Sequence, residues 1–192
     1  MTDTQLATLL ASRICHDLIS PVGAINNGLE LFEMMGGGTG GEEIDLIRMS
    51  ADAATANLKF MRTAFGAADT GGKIPMAEIQ AATKGFLGQK YKLIWNAGDY
   101  PRTRATTQLL SLVIMVTIDT APLGGQITVV DCGEDPLNIS ITAEGRDLRA
   151  RNADIPKTPR AAHALLLSAL LMERGLNLRD DFESDRINLL IS

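Results

Sequence analysis

His16 and Asp17 are adjacent residues whose side chains could do chemistry together. Apolar residues recur around them at intervals of three or four, which predicts an amphipathic helix. These apolar positions are Ile14, Leu18, Val22, Ile25, Leu29 and Phe32. At about 3.6 residues per turn, the imidazole of His16 faces away from this stripe and toward solvent. An exposed imidazole on a rigid helix can attack phosphorus and hold a phosphoryl group on nitrogen.

Two charged neighbours bear on this histidine. Asp17 could orient the imidazole or fix its tautomer. Arg13 lies four residues before Asp17, at the spacing of a helical ion pair, so Asp17 could instead serve that pair alone. A surface helix with an incidental histidine would contain the same residues, so the rest of the chain must separate these interpretations.

Composition is that of a soluble globular protein. The 192 residues allow one large domain or two small ones, and the hydrophobic share of 45% is ordinary. The formal net charge of −5 argues against non-specific binding to nucleic acid. The first residues show no basic-then-apolar signal pattern, and no apolar run reaches the length of a membrane span. We therefore expect a cytoplasmic protein that contacts neither membrane nor nucleic acid directly.

The chain contains two cysteines, Cys15 and Cys132. Two are too few for a disulfide framework or a zinc site. We expect both thiols to be reduced and buried, and we expect no metal centre.

Two long helices are predicted before residue 66. The first runs from about residue 4 to 35 and the second from 42 to 65, with the glycine-rich residues 36–41 as the turn between them. Pro21 should kink the first helix one turn beyond His16, because proline lacks an N–H. Two antiparallel helices bury one seam between them, and both have wide apolar faces. A second copy should therefore complete a four-helix bundle, which makes the protein a homodimer.

The periodicity changes after residue 73. Helices are predicted at 75–87, 103–121 and 158–174, and strands at 92–95, 126–130, 138–142, 177–179 and 186–191. Helices laid over a mixed sheet make a two-layer α/β sandwich. We therefore expect an α+β protein with a helical hairpin for dimerisation and phosphotransfer at 1–66, a linker at 67–73 and a sandwich domain at 74–192.

This order of elements, with a His-Asp-Leu-x-x-Pro motif on the first helix, resembles the core of a sensor histidine kinase. His16, Asp17, Leu18 and Pro21 stand where that family has its phospho-accepting histidine, acidic neighbour, leucine and kink proline. Residues 112–129 resemble the part of the kinase ATPase domain that carries an ATP-binding asparagine and runs into a strand.

The nucleotide-binding residues of the kinases are missing, however. Val116 occupies the position of the asparagine that helps hold magnesium, and residues 143–148 lack the Asp-x-Gly-x-Gly of the adenine site. The glycines that cradle the phosphates are replaced around residues 157–162. Phosphates need close backbone N–H groups or cations, and magnesium needs oxygen ligands. We therefore expect a degenerate ATPase domain without ATP binding and without ATP-dependent kinase activity.

A kinase-like fold without its nucleotide site, together with the stretch at residues 12–31, closely resembles the ChpT family of histidine phosphotransferases. The resemblance implies a phosphorelay intermediate of bacterial cell-cycle signalling. The receiver domain of a hybrid histidine kinase would pass phosphate from its aspartate to His16, which would pass it to response regulators. The receiver would bring the magnesium ion, so the chain would need no cofactor of its own.

Other residues near His16 take supporting roles in this hypothesis. Asp17 would be its orienting partner, supported by Arg13. Ser20 stands where some kinases have a threonine or asparagine used in phosphatase chemistry, an activity that we do not predict for serine. Three residues would form the groove for a receiver helix, unless they are ordinary helix surface: Ile19, Gly23 and Asn27.

Other functions stay open at this point. A non-catalytic dimeric scaffold derived from a histidine kinase fold would need the helical repeats but not the exposed His-Asp pair. Relay transfer is reversible, so the chain could also drain phosphate from response regulators. His163 lies on an apolar helix and is interpreted as structural.

Overall fold

The chain folds into a helical hairpin followed by an α/β sandwich, and the computed structural model describes residues 1–34, 41–66, 72–131, 139–149 and 154–191. Helix α1 spans Asp3–Met34 and helix α2 spans Gly41–Phe65, close to the predicted bounds. Thr2 and Gln5 begin α1 with reciprocal side-chain to backbone hydrogen bonds of 3.3 and 3.0 Å. This capping box satisfies backbone groups that the first helical turn leaves unpaired.

The hairpin contacts the sandwich at the end of α2. The ring of Phe60 stacks on that of Phe86, with ring centroids 4.1 Å apart. Helix α1 continues through Pro21, and the kink expected there stays a prediction. Of the predicted turn, residues 36–40 lie outside the described residues.

In the described part of the chain, the sandwich has three helices: α3 (Met76–Leu87), α4 (Arg104–Thr120) and α5 (Ala162–Arg174). Its strands are β1 (Lys73–Ile74), β2 (Tyr91–Trp95), β3 (Arg102–Thr103), β4 (Gly125–Asp131), β5 (Ile139–Glu144), β6 (Leu178–Phe182) and β7 (Arg186–Ile191). Five strands form a sheet in the order β2-β4-β5-β7-β6, in which β2 and β4 are parallel and the other neighbours antiparallel. This is the two-layer architecture that the sequence predicts.

Helix α4 forms the centre of the core and is buried along most of its length. Thr103 caps its N-terminus by accepting a hydrogen bond of 3.2 Å from the backbone N–H of Thr106. Strand β4 begins beyond α4 at Gly125, whose φ of 140° lies in a region that L-residues with a Cβ rarely adopt. A Cβ atom there would collide with the backbone oxygen of Glu144 on β5.

A second, two-stranded sheet was not predicted. Lys73 pairs with Thr103 and Ile74 with Arg102. Strands of two residues are too short to show an alternating pattern. Lys73, the last residue of the predicted linker, lies in β1, and residues 67–71 of that linker lie outside the described residues. The domain boundaries stay predictions. No helix in the described ranges is long and apolar enough to cross a membrane.

Tyr91, the first residue of β2, is buried, and its hydroxyl donates to the carbonyl of Ala121 at 2.9 Å. Burial first, and then the negative charge of Asp119, raises the pKa of Tyr91 above its ordinary value of 10.0. The folded state thus favours the neutral phenol, so the resulting stabilisation is complete below pH 10.0 and is lost as pH rises through the folded pKa.

We therefore expect the free energy of unfolding to fall more steeply above about pH 10 in the wild type than in Tyr91→Phe. Urea unfolding at several pH values between about pH 8 and pH 11 measures this difference in slope. Equal slopes for the two proteins would contradict the assignment, whatever the loss of the hydroxyl costs at neutral pH.

Candidate functional site

The imidazole of His16 lies on the solvent side of α1. Its side chain is 76% exposed, in agreement with its predicted position opposite the apolar stripe. Nδ1 of the ring lies 3.0 Å from Oδ1 of Asp17. Because both residues lie on one regular helix, a rigid element holds the imidazole and its carboxylate partner.

Asp17 has two partners at once. Its Oδ2 accepts a hydrogen bond of 2.7 Å from Nε of Arg13, while Oδ1 faces His16. The Arg13 and Asp17 side chains are only 14% and 17% exposed, so water screens this pair less than an ordinary surface pair. From the sequence, Asp17 could either orient His16 or form an ion pair with Arg13. In the structure, Asp17 contacts both residues.

Arg13 also ties the hairpin to the sandwich. Its Nη1 donates to the main-chain carbonyl of Arg160 at 2.6 Å. Arg160 lies in a short 3-10 turn, Pro159–Ala161, which precedes α5 where the sequence predicted α-helix from residue 158. Sequence reasoning missed this contact because helical spacing indicates only neighbours about one turn apart, whereas Arg13 and Arg160 are 147 positions apart.

The hydrogen bonds assign the proton of neutral His16 to Nδ1, because the carboxylate of Asp17 can only accept. Nε2 then carries the lone pair and faces solvent. When Nε2 reacts, positive charge develops on the ring, and the charge of Asp17 stabilises it. The arrangement can therefore attack an electrophile that a partner presents from solvent.

Replacing Asp17 by asparagine should slow the reaction of His16 with phosphoramidate, a small phosphoryl donor, by about tenfold to a hundredfold. An amide can donate as well as accept, so it no longer selects the tautomer, and it carries no charge to offset that of the ring. Asp52→Asn, at an exposed carboxylate on α2, is the matched control and should react like the wild type. A rate for Asp17→Asn within about twofold of the wild type would contradict the orienting role.

The other residues expected around His16 lie on the open side of α1. Ile19 is 70% exposed, and Ser20 and Asn27 are exposed as well. A Cβ atom added at Gly23 would meet no atom within 4 Å. This surface leaves room for a partner protein to approach the imidazole.

Cys15 is free and exposed. The expectation of a buried thiol was wrong for this residue, and Cys132 lies outside the described residues. His163 on α5 is fully buried, as expected for a structural residue. Its Nε2 lies 3.0 Å from Oδ2 of Asp119, at an angle that makes no hydrogen bond.

The sandwich has an open cavity of about 590 Å³ between α4, α5 and residues 155–161. Val116 lines this cavity and is 4% exposed, at the position where the resemblance to kinases expects asparagine. A valine side chain offers no oxygen to a metal ion and no hydrogen bond to a nucleotide. Among the described residues, no group of three or more His, Cys, Asp or Glu side chains could hold a metal ion.

Comparisons with known proteins agree on one family. Residues 76–185 match the family model of the histidine phosphotransferase C-terminal domain. The chain is 38% identical over 171 residues to the protein phosphotransferase ChpT of Brucella abortus (strain 2308), covering 84% of this chain and 81% of that protein. A bacterial phosphotransferase of known structure superposes with a TM-score of 0.86 at 30% identity, covering 100% of this chain and 98% of that one. The chain therefore belongs to the histidine phosphotransferase family.

This membership confirms the resemblance to the ChpT family and the expected α+β architecture. The chain is a histidine phosphotransferase of a phosphorelay, and it exchanges phosphate with other proteins of that relay.

Proposed function

We propose that His16 is the residue that carries the phosphate and that Nε2 is the nitrogen that takes it. The observation that supports this most directly is a 76% exposed imidazole held through Nδ1 by a carboxylate. The other histidine of the chain, His163, is fully buried and out of reach of a partner's phosphate.

In the accepting step, the Nε2 lone pair of His16 forms a bond to the phosphorus of an aspartyl phosphate on a receiver domain. The bond from phosphorus to the aspartyl oxygen breaks, and its electron pair stays on the receiver's carboxylate. The Nδ1–H remains hydrogen-bonded to Asp17, which offsets the charge of the phosphorylated ring. The reverse reaction with a second receiver passes the phosphate on. Such transfers depend mainly on in-line positioning and charge neutralisation.

The receiver supplies the magnesium ion in this proposal. The carboxylate of Asp17 is engaged by Arg13 and His16, so its oxygens fit a positioning role better than a metal site. ATP takes no part either, because Val116 stands in the remnant pocket where an oxygen-bearing side chain would be needed. The chain thus acts without a cofactor of its own.

The proposed donor is the receiver domain of a hybrid histidine kinase, and the proposed acceptors are response regulators. Both would dock on the open surface of α1 formed by Ile19, Gly23 and Asn27, with Ser20 beside it. The relay would operate in the cytoplasm, without direct contact to nucleic acid or membrane.

Transfer of radiolabelled phosphate from an aspartyl-phosphorylated receiver to the full chain tests this function. We expect label on the wild type that is labile in acid and stable in alkali, as a phosphorus–nitrogen bond requires, and no label from ATP alone. A chain that takes no label from several cognate receivers would contradict the proposal. It would favour a non-catalytic dimeric scaffold derived from a histidine kinase fold.

We also propose that a second copy of the chain covers the hairpin. Large apolar side chains are exposed along both helices, at Val22, Leu29, Leu31, Ile44, Leu46, Met49 and Leu58. Exposed apolar surface of this kind marks an interaction site. The hairpin of a second copy would bury it and complete a four-helix bundle.

Replacing Leu29 and Leu58 together by glutamate should convert the dimer to a monomer, because it places two charges per chain in the proposed interface. Light scattering after size-exclusion chromatography should show the dimer mass for the wild type and half of it for the variant. Leu123→Glu, at a position on the sandwich that is 63% exposed, is the control and should stay dimeric. A monomeric wild type, or a double variant with the dimer mass, would contradict the proposed bundle.

A further inference from the structure

The cavity in the sandwich has walls that suit a small amphipathic anion. Its apolar part includes the buried side chains of Val116, Leu167 and Leu171. Arg149 and Arg160 also line it. A volume of about 590 Å³ is that of an ordinary small-molecule site, mostly apolar with a few polar groups.

The charges of the lining favour a negative ligand group. Two arginines, Arg149 and Arg160, and one acidic residue, Asp119, are the charged residues among the described residues that line the cavity. Oδ2 of Asp119 lies 3.0 Å from Nε2 of the buried His163 on α5. Arginine is well suited to carboxylate and phosphate groups because its planar fork can bind two oxygens together.

Arg160 connects this cavity to the phosphotransfer site. It lines the cavity, and its main-chain carbonyl accepts the 2.6 Å hydrogen bond from Arg13. Nε of Arg13 donates to Oδ2 of Asp17 at 2.7 Å, and Oδ1 of Asp17 lies 3.0 Å from Nδ1 of His16. Three consecutive hydrogen bonds thus lead from the cavity wall to the imidazole.

The wall segment itself is tightly turned. Backbone N–H groups of Thr158 and Ala161 donate to the carbonyls of Pro156 and Thr158, at 2.9 and 3.1 Å. All three residues, like Arg160, line the cavity. Arg160 therefore belongs to a short segment that is held together by its own backbone hydrogen bonds.

We propose that the cavity binds a small amphipathic anion, with its apolar part on the leucine and valine side chains and its carboxylate or phosphate at Arg149 and Arg160. We further propose that binding lowers phosphate transfer, a part that rests on the proposed role of His16. An anion bound by the side chain of Arg160 displaces that residue, and its main-chain carbonyl is the acceptor of the hydrogen bond from Arg13. When that hydrogen bond is lost, Asp17 is no longer fixed against His16, and the imidazole loses its orientation.

Decanoate, kept below its micelle-forming concentration, is the probe for binding, and decanol is its neutral counterpart. Isothermal titration calorimetry on the full chain should show saturable binding of decanoate, with decanol at least about fivefold weaker because it cannot pair with the arginines. Equal affinity for the two would contradict the anion site. Binding of Mg²⁺-ATP in place of decanoate would show a retained nucleotide site and would overturn the proposal.

Two variants test whether decanoate binds in the cavity or on the exposed hairpin. Ala164→Phe puts a ring into the cavity that Ala164 lines, and should abolish decanoate binding. Arg149→Gln keeps the cavity open and should weaken decanoate binding about fivefold while leaving decanol binding unchanged. The matched control is Arg146→Gln, at an exposed arginine outside the lining, which should bind like the wild type. If both cavity variants bind decanoate normally, the site lies elsewhere.

The link to His16 is measured as the ratio of transfer rates with and without saturating decanoate. We expect decanoate to slow transfer about fivefold in the wild type, within the range of typical coupling between sites. In Arg13→Gln the ratio should return to about one although decanoate still binds, because the connecting hydrogen bonds are cut. An unchanged wild-type ratio, or an equal effect in Arg13→Gln, would overturn the link.

The two proposals fail in different ways. A wild-type chain that takes no phosphate in the absence of any ligand contradicts the role of His16, and the calorimetric result stands by itself. A chain that transfers phosphate normally but binds no decanoate contradicts the cavity site alone.

Discussion

A chain in which His16 is replaced by alanine should accept no phosphate from an aspartyl-phosphorylated receiver. Alanine leaves no nucleophile at this position, and the other histidine of the chain, His163, is fully buried. Removing the attacking group of an enzyme lowers its rate by at least about a thousandfold, so label should fall to background. The fold should survive, because alanine favours the helix and the lost side chain is 76% exposed.

Cys15→Ala is the matched control for this experiment. Cys15 is an exposed thiol beside His16, and it is the other strong nucleophile in that turn of α1. The control should accept as much label as the wild type. If label survives in His16→Ala and disappears in Cys15→Ala, the thiol of Cys15 is the group that takes the phosphate. If label is unchanged in both variants, another residue takes it. Circular dichroism of all three proteins verifies that they fold alike.

Replacing Gly125 by alanine should lower the free energy of unfolding by at least about 3 kcal/mol or prevent folding. Gly125 has a φ of 140°, so the alanine backbone is strained before any neighbour is considered. Its Cβ would also collide with the carbonyl oxygen of Glu144. That oxygen belongs to the backbone of β5, so it cannot rotate away as a side chain could. Urea unfolding followed by circular dichroism measures the loss.

Gly88→Ala separates the two causes. Gly88 also has a positive φ, 59°, but a Cβ there would meet no atom within 4 Å. Its ψ of −145° belongs to a conformation almost exclusive to glycine, so the control should cost only the conformational strain, about 1 to 3 kcal/mol. If Gly125→Ala lowers the free energy of unfolding no more than Gly88→Ala does, strand β5 moves aside for the new methyl group. The collision with Glu144 would then contribute nothing to the loss of stability.

Much of the architecture could be predicted because helices and strands show characteristic local periodicities of apolar residues. The long helices and the strands after residue 91 showed clear three-to-four or alternating patterns. The exposure of His16 followed from its angular position on α1, since a helix fixes where every side chain lies relative to the apolar stripe. The helix predicted over residues 103–121 likewise starts within one residue of α4.

Contacts between distant parts of the chain could not be predicted in this way. The hydrogen bond from Arg13 to the carbonyl of Arg160 depends on how the sandwich packs against the hairpin. Its acceptor is a backbone carbonyl, which every residue type has, so the sequence does not indicate it. The cavity beside α5 likewise depends on the path of residues 155–161. The sheet of β1 and β3 is too short to have a pattern at all.

Strand β6 lies at one edge of the five-stranded sheet and is mostly charged, with Arg179, Asp180 and Asp181 all exposed. An edge strand has backbone groups that could pair with a strand of another molecule, and charged side chains oppose such pairing. The opposite edge, β2, carries the exposed Lys92. Charged side chains at both edges therefore oppose edge-to-edge pairing of the sheet with another molecule.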